Sequence, residues 1–164
     1  MNFNDISDIK KNGFTGFKKM RDLFYDSSSI PKTKGVYIVL NVDRKAEFLP
    51  VGTGGYFKGK DPNVPIAALE SNWVENTIVV YIGKAGKDGS SATLQSRLRQ
   101  YFSFGQGKNI GHYGGRLIWQ LENSKELIVC WKALPAEDPR AIEADYIQQF
   151  VNEFSKRPFA NLAN

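Results

Sequence analysis

The sequence predicts an α+β domain in which a small sheet is flanked by helices. Three apolar runs rich in β-branched residues are typical of short buried strands, at residues 35–40, 78–82 and 127–131. Helical patterns separate these runs irregularly, which favours an α+β arrangement over a regular alternation of strands and helices. The chain of 164 residues is predicted to form one domain, residues 1–164, that buries a core without metal clips or disulfides.

Composition and charge limit the partners and the cell compartment that are expected for this domain. The 22 Lys and Arg residues outnumber the 17 Asp and Glu residues, and the net charge of +5 favours polyanions without selecting nucleic acid among them. The single cysteine, Cys130, lies in an apolar run, which predicts a core residue and excludes a disulfide within the chain. Because no apolar stretch has membrane-spanning length and the N-terminus does not resemble a signal peptide, we expect a cytoplasmic protein without membrane contact.

The first 30 residues are predicted to form an N-terminal helical extension. Apolar residues recur at helical spacing from Phe14 to Phe24, which predicts an amphipathic helix over residues 14–25. Basic residues would line its outer face, at Lys18, Lys19 and Arg21. That face is either solvated or in contact with phosphates.

A long insert, residues 41–76, separates the first strand from the second. Pro65 predicts a short helix over residues 65–74. Several aromatic and basic side chains could stack on bases and contact phosphates, at Tyr56, Phe57, Lys58, Lys60 and Trp73. The insert is therefore either a lobe that contacts the substrate or a loop that covers the sheet.

The second strand and the helix after it bring polar groups together. Leu94, Leu98 and Phe102 form the core stripe of a helix that Ser91 or Thr93 would cap and that glycines at 105 and 107 would end. On a neighbouring face, Arg97 and Tyr101 stand one turn apart. With the tyrosine and lysine that end the strand, Tyr81 and Lys84, they can converge on one cleft, which predicts an anion site suited to phosphate.

A glycine-rich segment, residues 105–116, follows that helix. Its backbone amides could lie against a phosphate, although no strand precedes it and the spacing is not that of a phosphate-binding loop. It carries the only histidine, His112, which either assists proton transfer near neutral pH or is incidental. Residues 113–120 are predicted to form a short helix, with Arg116 facing the cleft.

The last helix presents a carboxylate on its inward face. Asp138 and Pro139 are typical of an N-cap and first turn, which predicts a helix over residues 139–154. Glu143 shares one stripe of this helix with Ile147 and Phe150. Since a buried carboxylate needs a cation or donors, we expect either a metal ion or an ion pair with Arg97 at this position.

Taken in order, these residues resemble the GIY-YIG nuclease family. The two signature segments stand as Gly35-Val36-Tyr37 and Tyr81-Ile82-Gly83, and the series continues through Lys84, Arg97, Tyr101, Glu143 and residues 157–161. The resemblance covers residues 35 to 161. It implies a central three-stranded antiparallel sheet, with the insert at 41–76 as the largest departure from the family pattern.

The resemblance also implies a metal-dependent endonuclease that hydrolyses phosphodiester bonds in DNA, with RNA as the alternative substrate that the sequence leaves open. One of Tyr37 and Tyr81 would act as the general base, Arg97 would contact the scissile phosphate, and Glu143 would hold a single Mg²⁺ or Mn²⁺ ion. Since a tyrosine of ordinary pKa is a poor base at pH 7, Lys84 and Arg97 would have to lower that pKa.

The remaining family positions are expected to support this chemistry. Tyr101 would orient the water or the phosphate, and Asn161 would hold the site by hydrogen bonds. Some family members place a histidine near the arginine helix, which makes His112 a candidate for proton transfer.

Two other classes of function remain open. The first is a catalytically inactive nucleic-acid-binding module of the same fold. The second is an interaction domain in which Glu143 and Arg97 form a structural ion pair. Sequence-specific cleavage would depend on the insert, on residues 1–30, or on a homodimer that reads a palindrome.

Overall fold

A four-stranded antiparallel sheet forms the centre of the protein. The computed structural model describes residues 1–162, so the predicted end of the domain at residue 164 lies outside the described residues. The strands are β1 (Thr15–Lys19), β2 (Gly35–Leu40), β3 (Val79–Ala85) and β4 (Ile128–Ala133), in the spatial order β1-β4-β2-β3. The helices are α1 (Ile6–Lys11), α2 (Met20–Tyr25), α3 (Ile66–Asn72), α4 (Leu94–Gly105) and α5 (Pro139–Phe154). The α+β class is as predicted, but the three-stranded sheet is wrong.

The fourth strand comes from the segment that was predicted to be helical. Within residues 14–25 only α2 is a helix, because Gly16 and Phe17 have positive φ angles of 94° and 54°. Thr15 pairs with Trp131 of β4, a bulge follows between Gly16 and Lys18, and a Cβ on Gly16 would lie 2.6 Å from the Trp131 indole. Residues 1–30 therefore contribute one strand to the sheet besides the helices α1 and α2, and the prediction of one continuous helix over residues 14–25 is wrong for its first half.

Helices cover both faces of the sheet. Tyr37 and Val39 of β2 pack in a core with α2 and α4, whereas Val36 and Ile38 pack in a second core with α1 and α5. This alternation along β2 is as predicted. Cys130 of β4 is buried in the second core, which confirms its prediction as a core residue.

The helices that flank the site begin and end where the sequence predicts. Thr93 caps α4 through reciprocal hydrogen bonds with Ser96, and the helix ends at Gly105. Asp138 caps α5 by accepting a hydrogen bond from the Arg140 amide at 3.0 Å. Residues 113–120 contain a short 3-10 helix, Arg116–Gln120; two others span Phe57–Gly59 and Ser124–Glu126.

A buried side chain, Gln120, joins two parts of the insert to the domain. The Gln120 amide donates to the carbonyls of Leu49 at 3.1 Å and Val64 at 2.9 Å, and its oxygen accepts from the Val64 amide at 2.9 Å. Trp73 packs 5.3 Å from the Phe159 ring. Trp73 is therefore part of the core rather than a free stacking surface for bases.

None of the helices described for residues 1–162 has the length and apolar character needed to cross a membrane.

Candidate active site

The candidate site lies along the outer edge of β3. β2 pairs with the inner edge of β3, and the C-terminal segment runs along the outer one. The Asn161 side chain accepts from the Ile82 amide at 2.9 Å and donates to the Ile82 carbonyl at 2.8 Å. The Ala160 amide also donates to the Val80 carbonyl at 2.9 Å. Asn161 thus satisfies the backbone of an edge strand and holds the segment after α5 beside it.

A cleft of about 440 Å³ opens at this edge. Five of the eight predicted site residues line it: Tyr81, Lys84, Arg97, Glu143 and Asn161. Arg116 and Arg157 line the same cleft, so four basic side chains face one carboxylate. This excess of positive charge suits a phosphate group, for which guanidinium groups provide paired donors.

Two faces of the sheet contribute to the cleft. Tyr81 points to the α4 side of β3, while Lys84, three residues later, points to the α5 side. There the Lys84 Nζ lies 3.1 Å from the Glu143 Oε2, and the side chains are 40% and 18% exposed. The predicted ion pair of Glu143 with Arg97 is wrong, since the partner of Glu143 is Lys84. Arg97 instead donates to the Gln100 side chain at 3.2 Å.

Three tyrosine rings pack against one another behind the opening, at edge-to-face or tilted angles. The Tyr81 ring centroid lies 5.9 Å from that of Tyr37 and 5.7 Å from that of Tyr101. Tyr37 and Tyr101 are fully buried, and only Tyr81 lines the cleft. Tyr37 stands opposite Gly83 in the β2–β3 pair, where a Cβ would overlap the Tyr37 ring. The glycine of the second signature segment thus makes room for the tyrosine of the first.

Burial keeps these tyrosines protonated in the free protein. The pKa of Tyr81 is raised to about 12, mainly by desolvation and also by the charge of Glu143, whereas a hydrogen bond with Tyr37 and the charge of Arg97 act to lower it. Burial also raises the pKa of Tyr37 and of Tyr101 well above 10. Arg97 therefore acts in the expected direction, but desolvation outweighs it.

His112 lies in the core rather than in the cleft. It is 1% exposed, its ring centroid lies 4.4 Å from that of Tyr101, and neither ring nitrogen has a hydrogen-bond partner. The pKa of His112 is lowered to about 3, mainly by burial and also by the charge of Arg97. The histidine is therefore neutral at physiological pH, and its placement favours the incidental alternative over proton transfer.

The glycine-rich segment forms the wall opposite β3. Gly115 has a φ of 74°, and a Cβ on it would lie 2.7 Å from the Tyr81 ring. The Tyr101 hydroxyl donates to the Gly115 carbonyl at 2.8 Å, which holds this backbone against the tyrosines. Tyr113 also lines the cleft, and sequence reasoning missed it because a single tyrosine in a glycine-rich segment follows no period.

Among residues 1–162, Glu143 is the only carboxylate that lines the cleft. Nowhere in residues 1–162 do three or more His, Cys, Asp or Glu residues form a group that could hold a metal ion. Mg²⁺ nevertheless commonly uses one or two protein carboxylates and completes its shell with water and substrate phosphate. The donor set around Glu143 fits that mode of binding and does not fit an ion enclosed by protein ligands.

The arrangement combines a basic cleft, two tyrosines that line it, Tyr81 and Tyr113, and the Glu143 carboxylate. These groups could bind a phosphodiester, orient a water molecule beside it and hold a hard cation. No protein-family model, curated protein or solved structure matches the chain.

Proposed function

We propose that this protein is a GIY-YIG-type endonuclease that hydrolyses phosphodiester bonds in DNA with a divalent cation, Mg²⁺ or Mn²⁺. The supporting observation is that Tyr81, Arg97 and Glu143 line one cleft although they come from β3, α4 and α5. The resemblance assigns these three residues to base, phosphate contact and metal ligand. Their convergence is what a hydrolytic site of this type needs.

Arg97 is the proposed contact to the scissile phosphate. It stands on the helix beside Tyr81 and has no carboxylate partner among the ion pairs of residues 1–162. Arg116 and Arg157 supply further positive charge in the same cleft. Charge that develops on the phosphate oxygens in the transition state would be stabilised by these fixed guanidinium groups.

Glu143 is the proposed metal ligand. A divalent ion bound there would stabilise negative charge on the phosphate and the leaving oxygen. In the free protein Lys84 neutralises Glu143, and this lysine is exposed enough to move aside. Lys84 therefore balances the charge of Glu143 until a divalent cation binds the carboxylate. The lysine ammonium can then interact with the phosphate.

Tyr81 is the proposed general base, because it is the signature tyrosine that lines the cleft. Its raised pKa opposes this role, and the charge of Glu143 is one cause of that pKa. Neutralising Glu143 would lower the pKa of Tyr81 and bring it closer to the working range of a base. The buried Tyr37 supports Tyr81, since their hydroxyl interaction also lowers the pKa of Tyr81.

The test is cleavage of supercoiled plasmid with Mg²⁺. We expect Arg97→Gln and Glu143→Gln each to slow cleavage by about 100-fold or more. Arg99→Gln is the matched control on α4, where Arg99 is exposed and donates to the Ser27 hydroxyl. Asp145→Asn is the matched control on α5, where Asp145 is exposed and accepts from Gln149.

Both controls should cut within about twofold of the native protein, at equal melting temperature. Cleavage by Glu143→Gln at the native rate would exclude the proposed metal role. A native protein that leaves plasmid, branched DNA and RNA intact with Mg²⁺ and with Mn²⁺ would exclude the enzyme.

A catalytically inactive DNA-binding module is the second candidate. Two observations favour it: Lys84 already compensates Glu143, and the pKa of Tyr81 is raised. Salt-dependent retardation of DNA without cleavage would select this alternative, since it depends on counterion release alone.

For either function we propose a cytoplasmic location, and a homodimer if the DNA sequence read is palindromic.

A further inference from the structure

An aromatic and basic surface lies on the side of the cleft away from β3. We call it the Tyr113 platform and define it as Tyr113, Arg116 and Lys60. Tyr113 is 39% exposed, the Arg116 Cζ lies 3.9 Å from its ring centroid, and the Lys60 Nζ lies 5.9 Å from it. Tyr113 and Arg116 also line the cleft that contains Tyr81 and Arg97. An exposed ring is therefore continuous with the proposed phosphate site.

The positive charge of the platform is not used within the protein. In the part of the chain that the structure describes, neither Arg116 nor Lys60 forms an ion pair. The Arg116 Nε is buried and has no hydrogen-bond partner. The guanidinium is thus packed on the Tyr113 ring without a carboxylate partner, which leaves its positive charge uncompensated beside the cleft.

The insert supports this platform. The Gly55 amide donates to the Phe104 carbonyl at 2.8 Å, and the Tyr113 hydroxyl donates to the Asp61 carbonyl at 3.4 Å. The Phe57 ring packs against Gly111, where a Cβ would lie 3.1 Å from it. Residues 55–61 therefore lie against the glycine-rich segment and place Lys60 beside Tyr113.

We infer that the Tyr113 platform stacks an unpaired base of a DNA strand, next to the phosphate bound in the cleft. Aromatic rings beside unpaired cations are what single-stranded nucleic acid uses, since every base has a face to stack and every nucleotide a phosphate. A paired base inside a duplex is stacked on both neighbours, so only the two end pairs of a blunt duplex have a free face. The substrate class is therefore DNA with single-stranded nucleotides adjacent to the scissile bond. This choice of ligand rests on the proposed function.

The test measures binding in the absence of metal ions, so that the DNA is not cleaved during the measurement. A short fluorescent single strand and the matching blunt duplex are titrated in EDTA with the native protein and with Tyr113→Ala, Tyr113→Phe and Tyr25→Ala. We expect Tyr113→Ala to weaken single-strand binding about tenfold and duplex binding less than about twofold. Tyr113→Phe should bind both within about twofold, because its ring still stacks. Tyr25, which is 97% exposed at the end of α2, is the matched control and should change neither.

Two outcomes would overturn the inference. One is equal loss on the single strand and the duplex, which would show a general phosphate effect. The other is a Tyr113→Phe variant that behaves like Tyr113→Ala, because the hydroxyl bond to Asp61 would then be what matters. The melting temperature of each variant is compared with that of the native protein, so that a loss of binding caused by unfolding is recognised.

The same measurement is independent of the proposed reaction. If the native protein never cuts DNA but Tyr113→Ala weakens single-strand binding, the inference about the platform is supported and the proposed nuclease activity is excluded. If the native protein cuts duplex plasmid but Tyr113→Ala weakens binding of the single strand and the duplex equally, the nuclease activity is supported and the inference about the platform is excluded.

Discussion

The two walls of the cleft are built in different ways. The β3 wall takes its functional groups from regular elements: Tyr81 and Lys84 from a paired strand and Glu143 from a long helix. The loop wall consists of residues 105–116 and the insert segment 55–61, which are attached through separate side-chain and backbone bonds. The proposed base and metal ligand, Tyr81 and Glu143, thus lie on the regular wall, and the proposed base-stacking residue, Tyr113, lies on the irregular one.

The first prediction compares alanine at a glycine in each wall. Gly83→Ala should lower the free energy of unfolding by about 3 kcal/mol, because its Cβ would overlap the buried Tyr37 ring. Gly114→Ala should change it by less than about 0.5 kcal/mol, since its Cβ would meet only the Tyr81 hydroxyl at 3.4 Å. Urea unfolding of both variants is the measurement. Equal destabilisation would mean that the loop wall is packed as tightly as the strand.

The second prediction compares the two side chains that anchor the walls. Gln120→Ala removes three bonds to the insert from a buried position and should cost about 2–3 kcal/mol. Asn161→Ala removes two bonds to Ile82 and should cost about 1–2 kcal/mol. Hydrogen exchange should accelerate at the Val64 amide in the first variant and at the Ile82 amide in the second. Acceleration at both amides in either variant would show that the walls open together.

The regular wall could largely be predicted from the sequence. Apolar runs and helix caps mark β2, β3, α4 and α5, because each depends on short-range patterning that a single sequence displays. The period of two along β2 likewise predicts that Tyr37 and Val39 share one face of the sheet. Arg97 and Glu143 reach one cleft because of where α4 and α5 begin, and the capping residues Thr93 and Asp138 mark these starts in the sequence.

Long-range contacts decide what the sequence could not predict. Helical spacing of apolar residues in the segment 14–25 conceals β1, which exists because Gly16 accommodates the Trp131 indole across the sheet. The partner of Glu143 is Lys84 rather than Arg97, since a strand and a helix meet there without any sequence period that relates them. His112 looked available in a glycine-rich segment, but that segment folds it against Tyr101.

The third prediction uses His112 to measure how firmly the loop wall is closed. The pKa of His112 is about 3 in the fold and about 6.5 in an unfolded chain. The unfolded chain therefore takes up a proton first as the pH falls below 6.5, and this contribution to stability is lost toward pH 3. Between pH 7 and pH 5 the native protein should lose about 1–2 kcal/mol that His112→Leu does not lose.

Urea unfolding at both pH values measures this difference. The carboxylates titrate mostly below pH 5, so the window isolates the histidine. Parallel loss in the native protein and in His112→Leu would mean that solvent reaches His112, and that the loop wall is open in solution.

The smallest expected effect is a change in the ionisation of Tyr81, which links the two faces of β3. The charge of Glu143 raises the pKa of Tyr81, and the charge of Arg97 lowers it. Glu143→Gln should therefore lower that pKa below about 12, whereas Arg97→Gln should raise it. Asp145→Asn, an exposed change on the same helix as Glu143, should leave it unchanged. NMR of ¹³C-labelled tyrosine with pH, assigned by Tyr81→Phe, gives the direction in each variant. A pKa that fails to fall in Glu143→Gln would show that the carboxylate does not act on Tyr81, and a cation bound there could not prepare this tyrosine as a base by neutralising Glu143.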